Sequence, residues 1–199
     1  MFKSFKTWLL EAAKKKKPVV VTFGRMNPIT SGHAKLVDTI ISIANKHNAE
    51  HRIYLSHSND AAKNPLSYND KIKFAKAYFP EVNFVKTDKV KIIYDVMKTL
   101  NAEGYKDVVL VVGDDRVEEF DRIKKYVGPD KDYKFDSFKI ESAGKRDEKA
   151  TDVTGMSASK MRQYVKDGDL AGFIAGTPKP SDKKLGKQMF DAVKKGMKI

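Results

Sequence analysis

Short apolar runs alternate along the chain with segments in which apolar residues recur every three or four positions. The first run, residues 18–23, is rich in β-branched side chains, follows a charged stretch and ends at Gly24, so it predicts a buried strand. Between residues 37 and 44 the apolar positions take helical spacing, and Thr30 or Ser31 is a suitable N-cap. The pattern therefore opens with a strand, a loop and a helix.

The same alternation continues almost to the C-terminus. Strands separated by helices imply right-handed crossovers and parallel pairing. We therefore predict an α/β protein with a Rossmann-like, doubly wound, mainly parallel five-stranded sheet and helices on both faces. The further strands are predicted over residues 52–56, 83–86, 107–112 and 138–142, and the further helices over residues 70–79, 91–103, 116–127, 159–166 and 185–197.

The length of 199 residues suits one domain with short extensions. We place this domain at residues 18–177, after a basic N-terminal segment over residues 1–17. A linker rich in proline and lysine and a final amphipathic helix occupy residues 178–199. Ligands of doubly wound sheets bind beyond the carboxyl ends of the strands, where the strand order reverses. The loops after the strands are therefore the place to look for chemistry.

Composition narrows the class of partner. The chain has 39 Lys and Arg against 26 Asp and Glu, and its net charge of +13 favours anionic ligands such as nucleotides, while nucleic acid is permitted but not required. The absence of cysteine excludes disulfides and thiolate metal sites. No apolar stretch approaches the length of a membrane span, so we expect no membrane partner and a cytoplasmic location. The pattern does not specify an oligomeric state.

The loop after the first strand carries the strongest chemical signal. Gly24 permits a ligand to approach the backbone, Pro28 stiffens the loop, and Gly32 lets the backbone come near phosphate at the helix start. His33 falls in the first helical turn, where unpaired N–H groups and the helix dipole favour an anion. Its imidazole can donate a hydrogen bond to phosphate oxygens as charge builds on them. The complete loop is Gly24-Arg25-Met26-Asn27-Pro28-Ile29-Thr30-Ser31-Gly32-His33.

This loop resembles the signature of the HxGH nucleotidyltransferase superfamily. Residues 24–28 are closest to the variant in archaeal-type nicotinamide mononucleotide adenylyltransferases, and Thr30 stands where those enzymes often have the first histidine. Threonine at that position is usual in phosphopantetheine adenylyltransferases. The resemblance covers roughly residues 18 to 170. It implies transfer of a nucleoside monophosphate from a triphosphate, with release of pyrophosphate.

Three later stretches are similar to the same superfamily in their order and context. The segment Asn64-Pro65-Leu66-Ser67, followed by Lys71, resembles an Asn-Pro-Phe-Thr segment that is followed by arginine. The turn Gly113-Asp114-Asp115 resembles a Gly-x-Asp turn beside the substrate nucleotide. Residues 155–162 resemble an Ile-Ser-x-Thr-x-x-Arg motif, in which a serine caps a helix facing the triphosphate and Arg162 pairs with phosphate oxygens.

The motifs and the resemblance together imply three sets of site residues. Mg²⁺ is expected to bind mainly through triphosphate oxygens, so no cluster of protein ligands for a metal is predicted. Catalytic roles are expected of Thr30, His33, Lys71 and Arg162. Nucleotide or phosphate binding is expected of Gly24, Arg25, Met26, Asn27, Pro28, Gly32, Met156, Ser157 and Ser159. Substrate contact is expected of His57, Asn64, Gly113, Asp114, Asp115, Arg116 and Arg146.

The leading hypothesis is an adenylyltransferase that joins ATP to a phosphorylated small molecule. Nicotinamide mononucleotide is the expected acceptor, which would make the reaction a step in NAD synthesis. A phosphate monoester is already mostly dianionic at neutral pH, so such an acceptor needs no general base. Cytidylyl transfer from CTP to a phosphorylated alcohol is the closest alternative. A non-catalytic virion or nucleic-acid-binding protein on the same fold is the third hypothesis.

The motifs taken together look most like those of nucleotidyltransferase-like proteins of large tailed bacteriophages. Residues 1–12 also resemble the short, cleaved capsid-targeting peptides of such phages, which would place the protein inside the virion. As a plain amphipathic helix, the same segment would align Phe2, Phe5, Leu9 and either Ala12 or Ala13 on one face. The plain helix is the preferred interpretation, and the expected location is then the host cytoplasm.

Overall fold

Five parallel strands form the centre of the fold, and helices cover both of their faces. The structure is a computed structural model that describes residues 17–144 and 156–199. The predicted Rossmann-like architecture is confirmed, and all the strand pairs among these residues are parallel. The strands are β1 (Val19–Gly24), β2 (Glu50–Leu55), β3 (Phe84–Val85), β4 (Asp107–Val112) and β5 (Ser137–Ser142), in the spatial order β3-β2-β1-β4-β5.

Helices connect the strands and close the C-terminal part of the chain. The first of them begins after the N-cap Thr30, and the second is capped by the Ser67 side chain, which accepts a hydrogen bond from the Asp70 backbone N–H at 3.1 Å. The helices are α1 (Ser31–Lys46), α2 (Tyr68–Tyr78), α3 (Ile93–Ala102), α4 (Val117–Asp121), α5 (Ala158–Lys166), α6 (Leu170–Ala175) and α7 (Lys183–Met197).

The prediction of one continuous helix over residues 116–127 is wrong. Two 3₁₀ segments, Asp114–Arg116 and Arg122–Tyr126, flank the short α4. The buried Phe120 and Ile123 are three positions apart, and a 3₁₀ helix aligns residues at that spacing on one face. The apolar pattern therefore does not distinguish the two geometries here. Helix α6 escapes prediction because its six residues are too few to establish a period.

The central strand β1 separates two hydrophobic cores. Val20 lies in the core that contains α1, α2, α5, α6 and α7, whereas Val19 and Val21 lie in the core that contains α3 and α4. All three valines are fully buried. Successive strand residues point to opposite faces, so helices on both faces require the uninterrupted apolar run seen in the sequence.

The C-terminal helix α7 packs directly on the domain. Met189, Phe190 and Val193 are buried in the same core as α1. The ring of Phe190 meets that of Phe173 in α6 edge to face, with 5.3 Å between the ring centroids. None of the described helices is long and apolar enough to cross a membrane. Residues 1–16, where the targeting peptide or amphipathic helix is predicted, lie outside the described residues.

We predict that Phe173→Ala lowers the free energy of unfolding by about 3–5 kcal/mol, because it removes a fully buried ring and leaves a cavity under α7. Urea denaturation followed by circular dichroism measures this change. Gln188→Ala, on the exposed face of α7, is the control and should change the same free energy by less than about 0.5 kcal/mol. Equal effects of the two substitutions would show that α7 is not docked through this core.

Candidate active site

A pocket opens where the order of the strands reverses. The chain leaves β1 toward β2 on one side and leaves β4 toward β5 on the other, so the following helices, α1 and α4, cover opposite faces of the sheet. This arrangement leaves a crevice at the carboxyl ends of β1 and β4. The pocket there has a volume of about 670 Å³. It is lined by Thr22, Phe23, Gly24, Arg25, Met26, Asn27, His33, Leu36, Lys63, Asn64, Val112, Gly113, Asp115, Arg116, Glu119, Phe120, Ser157, Ala158, Ser159 and Arg162.

The structure brings together site residues from all four sequence motifs. Residues 24–27 and His33 come from the first motif, Asn64 from the second, Gly113, Asp115 and Arg116 from the third, and Ser157, Ser159 and Arg162 from the fourth. The remaining candidates do not line the pocket. These are Pro28, Thr30, Gly32, His57, Lys71, Asp114 and Met156, whereas Arg146 lies outside the described residues.

The imidazole of His33 is oriented by its own helix cap. The backbone N–H of Thr30 donates to His33 Nδ1 at 3.0 Å, and the Thr30 hydroxyl oxygen also lies 3.0 Å from Nδ1. A backbone N–H can only donate, so Nδ1 is an acceptor and the proton of the neutral ring is on Nε2. Thr30 therefore orients the imidazole from behind the pocket wall, and His33 enters the pocket as a hydrogen-bond donor.

Asn27 holds two parts of the site together. Its side-chain amide donates to the carbonyl of Leu66 at 3.0 Å and accepts from the Leu66 backbone N–H at 2.9 Å. The Asn27 side chain is buried, and the peptide bond to Pro28 is cis. The donor and the acceptor of this amide are thus both paired with the backbone of Leu66. Asn27 lines the pocket, but its side chain serves to position the segment that contains Leu66.

Arg162 joins the fourth motif to the first. Its Nη1 donates to the carbonyl of Asn27 at 2.8 Å, and its Nη2 donates to the hydroxyl of Ser159 at 3.0 Å. The Ser157 hydroxyl accepts the backbone N–H of Lys160 at 3.1 Å and caps α5. The start of α5 and the guanidinium group of Arg162 therefore form one wall of the pocket.

The two glycines of the first motif have different environments. A Cβ at Gly24 would meet no atom within 4 Å, so the protein itself does not require glycine there. A Cβ at Gly32 would lie only 2.9 Å from the carbonyl oxygen of Met156. In addition, the Ser31 backbone N–H donates to the Gly176 carbonyl at 2.9 Å. Gly32 thus permits the segments around residues 156 and 176 to pack against the start of α1.

The two aspartates after β4 also have different environments. Asp114 accepts a hydrogen bond from the Ser142 hydroxyl at 3.0 Å and so links the ends of β4 and β5. Asp115 lines the pocket, and its Oδ1 lies 2.7 Å from where a Cβ of Gly113 would be. A side chain at position 113 would therefore displace this carboxylate. Of the pair, Asp115 is the one placed to meet a ligand.

The pocket contains more cationic than anionic side chains. Arg25, Lys63, Arg116 and Arg162 line it, against the carboxylates of Asp115 and Glu119. Arg116 donates to both oxygens of Glu119 at 3.1 Å, and this contact lowers the pKa of Glu119. With Arg116 and Glu119 neutralising each other, the positive charges of Arg25, Lys63 and Arg162 exceed the one negative charge of Asp115. The pocket therefore favours an anion with several charges.

Lys71 lies beneath the pocket rather than in it. Its ammonium group donates to the carbonyls of Ser56 and Ser58, the latter at 3.3 Å, and the side chain is fully buried. Burial, with Arg25 as a nearby like charge, lowers the pKa of Lys71 to about 8. The lysine thus holds the loop after β2. A direct catalytic role for it, as predicted, would require movement of that loop.

His57 also lies away from the pocket, at the ends of β2 and β3. Its ring stacks on that of Tyr68, with 3.8 Å between the centroids, and its Nε2 lies 3.0 Å from the carbonyl of Thr87. Because a carbonyl can only accept, Nε2 carries the proton. His57 therefore ties the loop after β2 to the loop after β3.

Lys63 is the pocket cation that sequence reasoning missed. It precedes Asn64-Pro65 and has neither periodicity nor a motif position of its own. The one signal near it is Asp60, whose side chain accepts the backbone N–H of Lys63 at 2.7 Å and that of Ala62 at 3.0 Å. An aspartate two or three residues before an exposed lysine is a turn signal that places the lysine at a defined position.

Within residues 17–144 and 156–199, no group of three His, Asp or Glu side chains is close enough to hold a metal ion. The pocket carboxylates among these residues are Asp115 and the ion-paired Glu119. Such a donor set suits a hard cation that keeps most of its ligands from phosphate and water.

The reversal of strand order and the cationic side chains around the crevice define an α/β protein with a pocket for an anionic ligand. Residues 21–164 match the model of the cytidylyltransferase-like family. This match spans most of the chain, which therefore belongs to the cytidylyltransferase-like family of nucleotidyltransferases. The four motifs of the pocket all lie within the matched residues.

Comparison with solved structures shows the same fold in an enzyme. The chain superposes on a bifunctional NMN adenylyltransferase/ADP ribose pyrophosphatase from Francisella tularensis with a TM-score of 0.55 and 14% sequence identity. The match covers 92% of this chain and 50% of that enzyme, so this chain spans half its length. No curated protein sequence matches the chain.

We predict that burial of Lys71 makes stability depend on pH. Its pKa is lowered from 10.5 to about 8, so between these values the unfolded chain binds a proton that the folded chain does not. Stability from this group therefore rises with pH, by about 2 kcal/mol between pH 8 and pH 10. Urea unfolding of the wild type and Lys71→Met at several pH values measures it as the difference between the two proteins.

The matched control is Lys73→Met, an exposed lysine on the same helix. The difference between the wild type and this variant should stay constant over the same pH range. If the Lys71→Met difference is also constant, Lys71 is solvated in the folded protein and does not support the loop as described.

Proposed function

We propose that the pocket transfers a nucleoside monophosphate from a triphosphate to a phosphorylated small molecule and releases pyrophosphate. The adenylyltransferase reaction with ATP is the preferred form, and nicotinamide mononucleotide is the preferred acceptor. The observation that carries the proposal is the placement of the His33 donor and the Arg162 guanidinium on the walls of one cationic pocket. Both the family match and the fold shared with an NMN adenylyltransferase support it.

The chemistry needs alignment and charge stabilisation more than proton transfer. An oxygen of the acceptor phosphate attacks the α-phosphorus, the bond from that phosphorus to the bridging oxygen breaks, and pyrophosphate leaves. A phosphate monoester is mostly dianionic at neutral pH, so no base has to remove a proton from it. Two anions must instead be held in line within reach of each other. The excess of cationic side chains in the pocket serves this purpose.

His33 acts as a neutral donor in this scheme. The Thr30 backbone N–H occupies Nδ1, so Nε2–H is the group that can bind an oxygen of the α-phosphate. A donor fixed in this way stabilises charge that develops in the transition state and loses no energy on reorientation. Thr30 is thus a positioning residue, which explains how threonine serves at this place in the motif.

Arg162 would bind phosphate oxygens in this scheme, and Arg25 lines the same pocket as a further cation. Arg162 is held by the Asn27 carbonyl and Ser159, so its guanidinium reaches the pocket already ordered. Its planar fork suits the paired oxygens of a polyphosphate. Mg²⁺, bound mainly through triphosphate oxygens, would neutralise part of the same charge. Asp115 is the carboxylate best placed to approach the substrate.

Cytidylyl transfer to a phosphorylated alcohol is the second candidate. It is favoured by the family model that matches, which is described as cytidylyltransferase-like. The two reactions share every step at phosphorus. They differ only in the base and the acceptor, which are recognised by the outer walls of the pocket.

We predict that His33→Ala lowers kcat for pyrophosphate release by about 10²–10³-fold, with little change in triphosphate binding. The assay pairs ATP or CTP, with Mg²⁺, with nicotinamide mononucleotide, its acid analogue, phosphopantetheine or glycerol phosphate. The active pair identifies the base and the acceptor. His47→Ala, an exposed histidine at the other end of α1, is the control and should retain full activity.

Three outcomes separate the hypotheses. Turnover that His33→Ala abolishes supports the proposed reaction. Turnover that survives this substitution contradicts the role of His33. A protein that binds nucleic acid in a strongly salt-dependent manner, binds no triphosphate and shows no turnover would be a binding protein on this fold.

A further inference from the structure

The segment between β2 and α2 delivers Lys63 to the pocket through a closed turn. Asp60 and Asn64 exchange backbone hydrogen bonds of 2.9 and 3.2 Å. Inside this turn, the Asp60 side chain accepts the backbone N–H groups of Ala62 and Lys63. The backbone of Lys63 is therefore fixed relative to the two ends of the turn.

The C-terminal helix α7 rests on the next residue of the same segment. A Cβ at Gly196 would lie 2.0 Å from the carbonyl oxygen of Pro65 and 2.6 Å from its carbonyl carbon. These distances are far below a van der Waals contact, and the atoms concerned belong to the backbone. The Pro65 carbonyl also accepts from Asn59 Nδ2 at 3.3 Å. Pro65 therefore lies between α7 and the side chain of Asn59, which precedes the turn.

The other end of the segment is held by the first motif. The Asn27 side-chain amide forms hydrogen bonds with both the N–H and the carbonyl of Leu66, which directly follows Pro65. The segment is therefore clamped between the first loop on one side and α7 on the other. Since Met189 and Val193 anchor α7 in the core, the position of Gly196 is set by the whole fold.

We propose that α7 is a positioning element of the active site, which acts through the contact between Gly196 and Pro65 to place Lys63 against the triphosphate. Lys63 is exposed at the pocket, and none of the described carboxylates forms an ion pair with it. A polyphosphate in the pocket supplies the missing negative charge. This inference rests on the proposed function, since it assumes that the pocket binds a triphosphate.

Two glycines of α7 allow a matched test. Gly196→Ala inserts a methyl group against the Pro65 backbone, which must move. Gly186→Ala makes the same substitution in the same helix, but there the new Cβ would meet Cγ1 of Ile174 at 2.9 Å, which is a side-chain atom and lies outside the segment that bears Lys63. Both substitutions replace glycine with the better helix former alanine within α7. They differ in whether they move the segment that bears Lys63.

The measurement is calorimetric binding of inorganic tripolyphosphate with Mg²⁺, a probe that does not depend on base or acceptor. Gly196→Ala should weaken binding about tenfold, the size of one lost charge-assisted contact. Gly186→Ala should bind within about twofold of the wild type. Circular dichroism and thermal melting of each variant show that it is folded. Equal binding by wild type and Gly196→Ala would overturn the proposal.

Lys63→Met tests the same proposal without disturbing α7. It should weaken tripolyphosphate binding by about the same factor as Gly196→Ala, and the double variant should bind no more weakly than either single variant. Additive losses, or no loss with Lys63→Met alone, would overturn the role of Lys63. If the wild type does not bind tripolyphosphate or ATP, the proposed function itself fails. Wild-type binding that both substitutions leave unchanged overturns the roles of α7 and of Lys63 and leaves the proposed function in place.

Discussion

The side chain of Asn27 is the constraint on which the candidate site depends. A buried amide must satisfy both its donor and its acceptor, and here both are satisfied by the backbone of Leu66. The backbone carbonyl of Asn27 accepts a hydrogen bond from the guanidinium group of Arg162. One residue at the end of β1 therefore fixes the segment before α2 and the guanidinium of α5. Replacing its side chain with an apolar one would leave the buried N–H and carbonyl of Leu66 unpaired.

The fold follows closely from the hydrophobic pattern, whereas the local geometry of short elements does not. The uninterrupted apolar runs of β1 and β4 predict strands buried on both faces, and both are found. The pattern fails between residues 116 and 127, where a spacing of three suits a 3₁₀ segment as well as an α-helix. It also fails for α6, which is shorter than two turns. Periodicity needs length, and these elements are short.

The site is predictable as a set of motifs but not as a set of contacts. Placing His33 and Arg162 at the carboxyl edge of the sheet requires only the order of strands and helices. The burial of Lys71 is different, because it depends on how the loop after β2 folds over the lysine. The position of Lys63 at the pocket likewise depends on the turn that Asp60 stabilises. Sequence spacing therefore identifies which segments meet, while loop conformation decides which cation lines the pocket.

The glycines illustrate why a motif and a ligand contact are not the same thing. Glycine at position 32 is expected from a need to approach phosphate, yet the atom nearest to its absent side chain is the Met156 carbonyl oxygen. Gly196, which belongs to no motif, makes a closer approach to Pro65. In both cases the small residue permits two distant segments to pack beside the pocket. A glycine in such a motif is therefore explained by the assembly of the site as much as by its chemistry. Because α7 packs against Pro65, the part of the chain that shapes the surroundings of the pocket extends beyond the residues that resemble the family.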